Sequence, residues 1–388
     1  MELAFWCAVV LFLYPYIGYP LLIRILAKAF SRKAGPAVQG SEWPTVTLVI
    51  SAYNEADIIA RKLDNALSLD YPIHSIEVIV VSDASTDSTD AIVAEVALRN
   101  SRVRLLRRSE RRGKSAGLNE AVAKAGGSIV VFSDANSMYR QDAVREVVKC
   151  FGDSSVGYVV GAALYDNADS DAAASEGLYW NMEIGLKAAE SAFCSVVGGD
   201  GAIYAIRREL FWEFLDDDIS DFANPLQIIA RGYRGVFNPN AVCFESAGDA
   251  FQKEFNRRRR IVNRSFRAVL RYGRQLKIAR DARFIFALLS HKVLRWFTFV
   301  TFGTIIALNI ALVASTGSQL YWITLSGIAG TIVLGLIGAL FGKFGWRAPP
   351  FVYLSYYFYL SAIAAILGVW DEIRGVRYAT WSHIRQRP

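Results

Sequence analysis

The sequence predicts an α/β domain with a mostly parallel sheet, flanked by membrane-spanning helices at both ends and by helices lying on the membrane surface. Three observations lead there. Residues 45–250 alternate short β-rich apolar runs with helix-patterned segments, the pattern of strands joined by crossover helices. Apolar stretches at 3–23, about 297–314, 320–341 and 351–370 approach the ~20 residues that cross a bilayer. Arginine and lysine gather beside those stretches.

The 388 residues, 53% of them hydrophobic, suffice for a full catalytic domain and several membrane segments. A net charge of +7 suits nucleic acid or an anionic bilayer surface. Because the basic residues border apolar stretches and form no isolated arm, the membrane is the expected partner and nucleic acid is not. Cys7, Cys150, Cys194 and Cys243 are scattered without ligand spacing and read as reduced, structural thiols. With only His74, His291 and His383, neither a zinc cluster nor a histidine-centred triad has its material, so acid–base work falls to carboxylates.

Residues 1–33 read as an anchor. A cleaved signal would carry its charges before the apolar core, whereas Arg24, Lys28, Arg32 and Lys33 follow it. That order places the next domain, residues 44–250, in the cytoplasm, with the protein in an inner or plasma membrane. Within it, β runs at 46–50, 77–81, 103–106 and 128–132 alternate with helical patterns at 56–67 and 88–98. Ligands of open α/β sheets lie beyond the carboxyl ends of the strands. There stand Val81-Ser82-Asp83-Ala84-Ser85 and Phe132-Ser133-Asp134-Ala135-Asn136-Ser137, so Asp83 and Asp134 are expected to meet one nucleotide. Helices opening after Asn54 and after residues 83–88 are expected to aim amide donors at its diphosphate.

Residues 251–296 follow as basic amphipathic helices, with arginines at 257–260, 264, 267, 271 and 274 expected at the lipid surface. A membrane region at 297–370 and a basic tail at 371–388 complete the chain. Lys343 and Arg347 in one loop, and Arg374, Arg377, Arg385 and Arg387 in the tail, all ask to be cytoplasmic, which three full crossings cannot satisfy. Either one segment is re-entrant or interfacial, or the tail's bias is overruled. Apart from a few basic residues the spans lack the ionisable groups of a transport pathway.

Taken in order, Ser51-Ala52-Tyr53-Asn54-Glu55, the Asp83 string, Gly113-Lys114-Ser115-Ala116-Gly117-Leu118-Asn119, the Asp134 string, Gly199-Asp200-Gly201, Ser220-Asp221-Phe222 and the arginine cluster resemble glycosyltransferase family 2. This inverting family includes cellulose, chitin and hyaluronan synthases, and the resemblance covers most of 44–275. It implies a glycosyltransferase A-type, Rossmann-like sheet and transfer of a hexosyl or N-acetylhexosaminyl group. The implied donor is a nucleotide-sugar, expected to be UDP-linked, the acceptor lipid-linked or a glycan, and the cofactor Mg²⁺ or Mn²⁺.

The resemblance also implies roles for residues. Ala52, Tyr53 and Glu55 would form the nucleotide corner, with Tyr53 near the base and Glu55 near the ribose. Asp83 would grip the uridine, although Ser82 and Ala84 replace an acid and a glycine of the family motif. Lys114 would reach phosphate as a point charge, while Arg107, Arg108, Arg111 and Arg112 read as a solvated basic loop. Asp134 and Asn136 would be oxygen ligands of the cation, Asp134 the principal one. Gly199, Asp200 and Gly201 would face the acceptor, the glycines permitting close backbone approach. Asp221 would be the base that takes the acceptor hydroxyl's proton. Ser220 replaces a neighbouring acid, and Asp216, Asp217 and Asp218 stand as substitutes or as a solvated acidic loop. Arg257 and Arg260 would meet the diphosphate; Ile261 replaces a tryptophan, removing a stacking surface for sugar.

The sequence thus points first to single sugar transfer in polysaccharide or glycoconjugate synthesis. A processive synthase, with oligomerisation making up for few membrane segments, is the second reading. A silent scaffold for a partner synthase is the third.

Overall fold

The computed structural model describes all residues except 33, 34, 36, 39–42, 166–170, 246–250, 280, 345, 347 and 379–388. Lys33, Arg347, Arg385 and Arg387 therefore lie outside the described residues. Four β-rich runs become parallel neighbours: β1 (Val46–Ala52) lies between β2 (Ile76–Ser82) and β4 (Ile129–Asp134), with β3 (Val103–Arg107) beyond β2. Their register sets up the site. Ala52 pairs with Ser82 and Ser51 with Asp134, so Asp83 and Asp134 leave the sheet at one edge, on either side of β1.

In the other half the sheet stays mostly parallel, with two strands reversed. β7 (Tyr204–Arg207) runs antiparallel to β4, β6 (Val156–Tyr165) antiparallel to β7, β8 (Arg234–Glu245) parallel to β6, and β5 (Met138–Tyr139) antiparallel to β8. The eight-stranded sheet, with β7 and β5 the reversed strands, has the order β3-β2-β1-β4-β7-β6-β8-β5. The reversal has a consequence for the site. Because β7 starts where β4 ends, with Tyr204 opposite Phe132, the turn 199–201 arrives beside Asp134.

Both sheet faces are covered, so the strands are apolar on both sides. Leu48, Ile50, Val78, Val80 and Val131 pack with α3 (Ile59–Leu67), α4 (Thr89–Arg99) and α6 (Ala143–Lys149). Val49, Ile79, Val81, Val130 and Phe132 pack with α5 (Lys114–Ala123), α7 (Asp171–Phe193) and α8 (Ser220–Ala230).

The first crossover helix begins at Ile59, later than the sequence suggested. Asn54 adopts a positive φ of 53°, which asparagine tolerates, and the amides of residues 54, 55 and 56 are taken by Ser85 Oγ (3.1 Å), Thr89 Oγ1 (2.8 Å) and Asp87 Oδ2 (3.1 Å). These donors bind the neighbouring loop, so they are not aimed at a diphosphate.

The chain opens with α1 (Glu2–Leu13) and α2 (Tyr19–Phe30), joined by a π-helical turn at Tyr14–Gly18. After the sheet come α9 (Phe251–Ala279), α10 (Ala282–Leu288), α11 (Leu294–Trp296), α12 (Thr298–Thr316), α13 (Gln319–Phe344) and α14 (Pro350–Ile373). Among the described residues, four helical segments, Glu2–Phe30, α12, α13 and α14, are long and apolar enough to cross a membrane. Large apolar side chains such as Trp322, Ile323, Val333 and Leu336 on α13 point outward, as they would toward lipid. All four cysteines are free thiols.

The arginines of α9 do not sit as a lipid-facing row. Arg259 pairs with Asp371 at 2.6 Å; Arg267 pairs with Glu372 and, at 3.2 Å, with Asp217; Arg271 pairs with Asp217 at 3.0 Å and with Asp218. Burying so many guanidinium groups requires such partners. Helix α14 stays with α9 over a long stretch: Arg258 donates to the Tyr357 hydroxyl, and Asp371 and Glu372 take Arg259 and Arg267.

Candidate active site

Beyond the carboxyl ends of β1 and β4 lies a cavity of about 300 Å³. Of the residues singled out from sequence, it gathers Tyr53, Glu55, Lys114, Asp134, Asn136, Asp200, Gly201, Asp221, Arg257 and Arg260. Gly201 marks its centre of charge. A Cβ at that position would stand 3.3 Å from Asp134 Oδ2, 3.5 Å from Lys114 Nζ and 3.6 Å from Asp221 Oδ2. Lys114, the first residue of α5, pairs with Asp134 Oδ1. Asp221 lies in the first turn of α8, and its carbonyl accepts the Gly199 amide, joining the 199–201 turn to the start of α8.

Three of the predicted residues are absent from its lining: Gly199, tied through its amide to Asp221, and Ala52 and Asp83. Ala52 is buried in β1, and its carbonyl accepts the Asp83 amide at 3.0 Å. Asp83 is buried and not among the cavity's lining; its carboxylate accepts the Gly113 amide at 2.8 Å, the Arg112 amide at 3.1 Å and the Arg108 guanidinium at 3.3 Å. It holds the loop that delivers Lys114, and Gly113 meets the required positive φ of 94°. Nor is that loop merely solvated. Arg107 pairs with Asp90 at 2.9 Å, Arg112 with Asp216 at 3.0 Å, and Arg111 stacks on the Tyr53 ring at 3.7 Å.

The run 216–218 is likewise engaged. Asp217 and Asp218 clamp α9 through Arg267 and Arg271, and Asp218 also accepts from the Tyr272 hydroxyl at 2.9 Å. They are structural acids, so Asp221 is the carboxylate that this segment presents to the cavity.

Electrostatics follow from crowding acids in a partly buried space. Burial raises the Asp221 carboxyl above its ordinary range, reinforced by Asp200 and Asp134 against the pull of Lys114. Burial opposes the Lys114 ammonium, but Asp134, Asp221 and Glu245 outweigh it and raise its pKa. Glu245, Arg264, Ser115 and Ser51 also line the cavity, without a site role assigned from sequence. Glu245, at the end of β8, accepts the Ser137 hydroxyl at 2.6 Å and is pushed up to about 7 by burial and by Asp200 and Asp134. Arg264 continues the face of Arg257 and Arg260; burial and Arg260 lower it to about 10, and it donates to the carbonyls of Asp217 and Asp218. Its i+7 spacing from Arg257 was readable as helical periodicity. Ser115 and Ser51 complete the set, without a charge signal to reveal them.

Residues 47–215, which carry most of this constellation, match the family model described as glycosyl transferase family 2. The chain carries a family 2 glycosyltransferase domain. It is 36% identical over 124 residues to beta-monoglucosyldiacylglycerol synthase of Nostoc sp., covering 31% of this chain and 26% of that one. To poly-beta-1,6-N-acetyl-D-glucosamine synthase of Staphylococcus aureus it is 25% identical over 222 residues, 55% of this chain and 53% of the other. The chain thus spans about half or less of the curated relatives it matches. A solved mannosyltransferase from Pyrobaculum calidifontis, in complex with GDP-Man and Mn²⁺, superposes with a TM-score of 0.71 at 26% identity, covering 95% of this chain and 99% of that one. The family domain therefore has the glycosyltransferase A-type fold, with candidate membrane helices attached.

Proposed function

We propose that this chain is a membrane-integrated inverting glycosyltransferase that moves one hexosyl or N-acetylhexosaminyl group from a nucleoside-diphosphate sugar to a lipid-linked or glycan acceptor. The observation that carries the reading is the convergence of Asp134, Lys114 and Asp221 around Gly201. An inverting transfer needs a base on the acceptor side and positive charge on the leaving diphosphate side. Asp221, its carboxyl raised above the ordinary range by burial, takes the acceptor proton. Lys114, Arg257 and Arg260 compensate the leaving group, and Tyr53 and Glu55 hold the nucleoside. Asp83 supports this side by fixing the loop of Lys114.

Divalent-cation chemistry fits the donor set. Asp134 and Asn136 offer oxygen atoms to the cavity, and a hard cation takes its remaining oxygens from phosphate and water. Among the described residues no cluster of three or more acidic, histidine or cysteine side chains is arranged as a closed metal cage, which suits a cation shared with the substrate. When bound, Mg²⁺ or Mn²⁺ would neutralise charge on the diphosphate.

A UDP-sugar is the first donor to try, and GDP-mannose the second, because the Pyrobaculum calidifontis relative that spans nearly the whole chain was solved with it. Single addition is favoured over processive synthesis by Ile261, which lines the cavity where a stacking aromatic is absent. The intact set Lys114, Asp134 and Asp221 opposes a silent scaffold. The two curated relatives, a glycolipid synthase and a polysaccharide synthase by name, are consistent with either acceptor class. Catalysis is assigned to the cytoplasmic side on the basis of Arg24 and Lys28 after the first apolar segment.

The test is a donor screen on the purified membrane protein with lipid extract, following nucleoside diphosphate release with Mn²⁺, Mg²⁺ or chelator and sizing the product. Chelator-sensitive release from one donor, with a single sugar added, supports the proposal. Long products would favour the processive reading, and no release with any donor would favour the scaffold.

A further inference from the structure

Three side chains of α7, spaced i, i+4 and i+7, connect the acceptor-side turn to helices that flank the membrane segments. Glu190 is fully buried: one carboxylate oxygen accepts the Tyr19 hydroxyl at 2.8 Å and faces His291 Nδ1 at 2.7 Å, and the other accepts the Val197 amide at 3.1 Å. Glu183 faces His291 Nε2 at 3.2 Å and pairs with Arg295 at 2.6 Å. Between them Lys187 reaches the other way, to Asp200 Oδ2 at 3.1 Å, while Asp200 Oδ1 accepts the Ala202 amide at 3.3 Å. Tyr19 belongs to α2, and His291 and Arg295 lie in the segment just before α12. One helix face thus ties both ends of the membrane region to the turn that holds Gly201 beside Asp134 and Asp221.

We propose that Lys187 is a positioning residue for the acceptor. It fixes the carboxylate of Asp200, and through Asp200 the turn 199–201, against a helix anchored by Glu183 and Glu190. Acceptor engagement therefore depends on this ion pair, whereas the donor-side groups Lys114 and Asp134 are carried by α5 and β4 in the other half of the sheet. Lys187 also offsets one of the five carboxylates that line the cavity, those of Glu55, Asp134, Asp200, Asp221 and Glu245. The inference rests on the proposed transfer site.

The test compares full-length wild type, Lys187→Met and Lys187→Arg. Three quantities are read: the concentration of membrane lipid extract that half-saturates transfer, the affinity for UDP and GDP by calorimetry, and amide exchange across residues 198–203. Loss of a charge-assisted bond should raise the half-saturating extract about tenfold in Lys187→Met. UDP and GDP affinity should stay within about twofold and exchange in the turn should quicken, with Lys187→Arg restoring both extract dependence and exchange. Unchanged exchange in Lys187→Met, or nucleotide affinity falling in step with extract dependence, would overturn the inference. If wild type transfers nothing, the transfer reading fails by itself, and exchange then decides: quickened in Met and restored in Arg upholds the coupling, and unchanged in Met refutes it.

Discussion

The Ser115 hydroxyl donates to the Asp218 carbonyl at 2.6 Å, joining the helix that presents Lys114 to the segment that presents Asp221. Arg264 donates to the same carbonyl, and Asp218 itself is buried against Arg271 and Tyr272. The segments that carry Lys114 and Asp221 are therefore fastened one residue from the former and three from the latter.

That fastening separates the acids of the 216–218 run. Asp218→Ala leaves Arg271 with Asp217 alone and the Tyr272 hydroxyl without its acceptor, and should lower stability by about 1–3 kcal/mol, the cost of buried polar groups losing a partner. Asp216→Ala removes an exposed pair with Arg112 and should cost less than about 1 kcal/mol. Thermal unfolding of the two variants in one detergent checks this, and equal losses would contradict it.

Gly201→Ala places a methyl group 3.3–3.6 Å from Asp134, Lys114 and Asp221. The fold should survive, since only side-chain ends are crowded, while turnover falls about tenfold or more because small displacements of reacting groups are costly. Gly201→Val should be worse. Unfolding curves beside initial rates distinguish this from simple destabilisation.

Glu245 gives a pH signature. Its carboxyl is raised to about 7 in the folded chain from an ordinary 4.5, so the folded state holds its proton more tightly than the unfolded state. Its contribution is present below pH 4.5 and is lost as pH rises through the folded value. Relative to wild type, Glu245→Gln should gain stability between about pH 4.5 and 7, by about 3 kcal/mol at most, and then level off. Groups common to both proteins cancel in the difference. A flat difference across that range would contradict the assignment.

Helix α14 meets α9 at Tyr357 and again at Asp371 and Glu372, so its carboxyl-terminal part runs along the basic helix. We expect residues 343 and 377 to lie on one side of the membrane, which would reconcile the charge pattern. With Cys7 replaced, single cysteines at those two positions should react with an impermeant thiol reagent from the same side. Labelling from opposite sides would restore a third full crossing.

Much of the site was legible because it is written in strand ends. Asp134 terminates an apolar β run, and the parallel register of β1 with β4 places it beside Ser51. Lys114 and Asp221 were found from ordered motifs, not from local pattern. The antiparallel entry of β7 was not legible, since strand direction depends on the path of α7 and carries no periodicity of its own. Asp83, expected to touch nucleotide, accepts the amides of Arg112 and Gly113, backbone contacts that no side-chain pattern reveals. The α9 arginines show the same limit. Their charge was evident, but their partners Asp371 and Glu372 lie more than a hundred residues away.

Asp221→Asn provides the most direct test of the central claim that the cavity around Gly201 performs inverting transfer. The amide keeps the shape and removes the base, so turnover measured by nucleoside diphosphate release with lipid extract should fall about 10²–10⁴-fold, while calorimetric donor affinity and thermal stability stay near wild type. Normal turnover by folded Asp221→Asn would contradict the account.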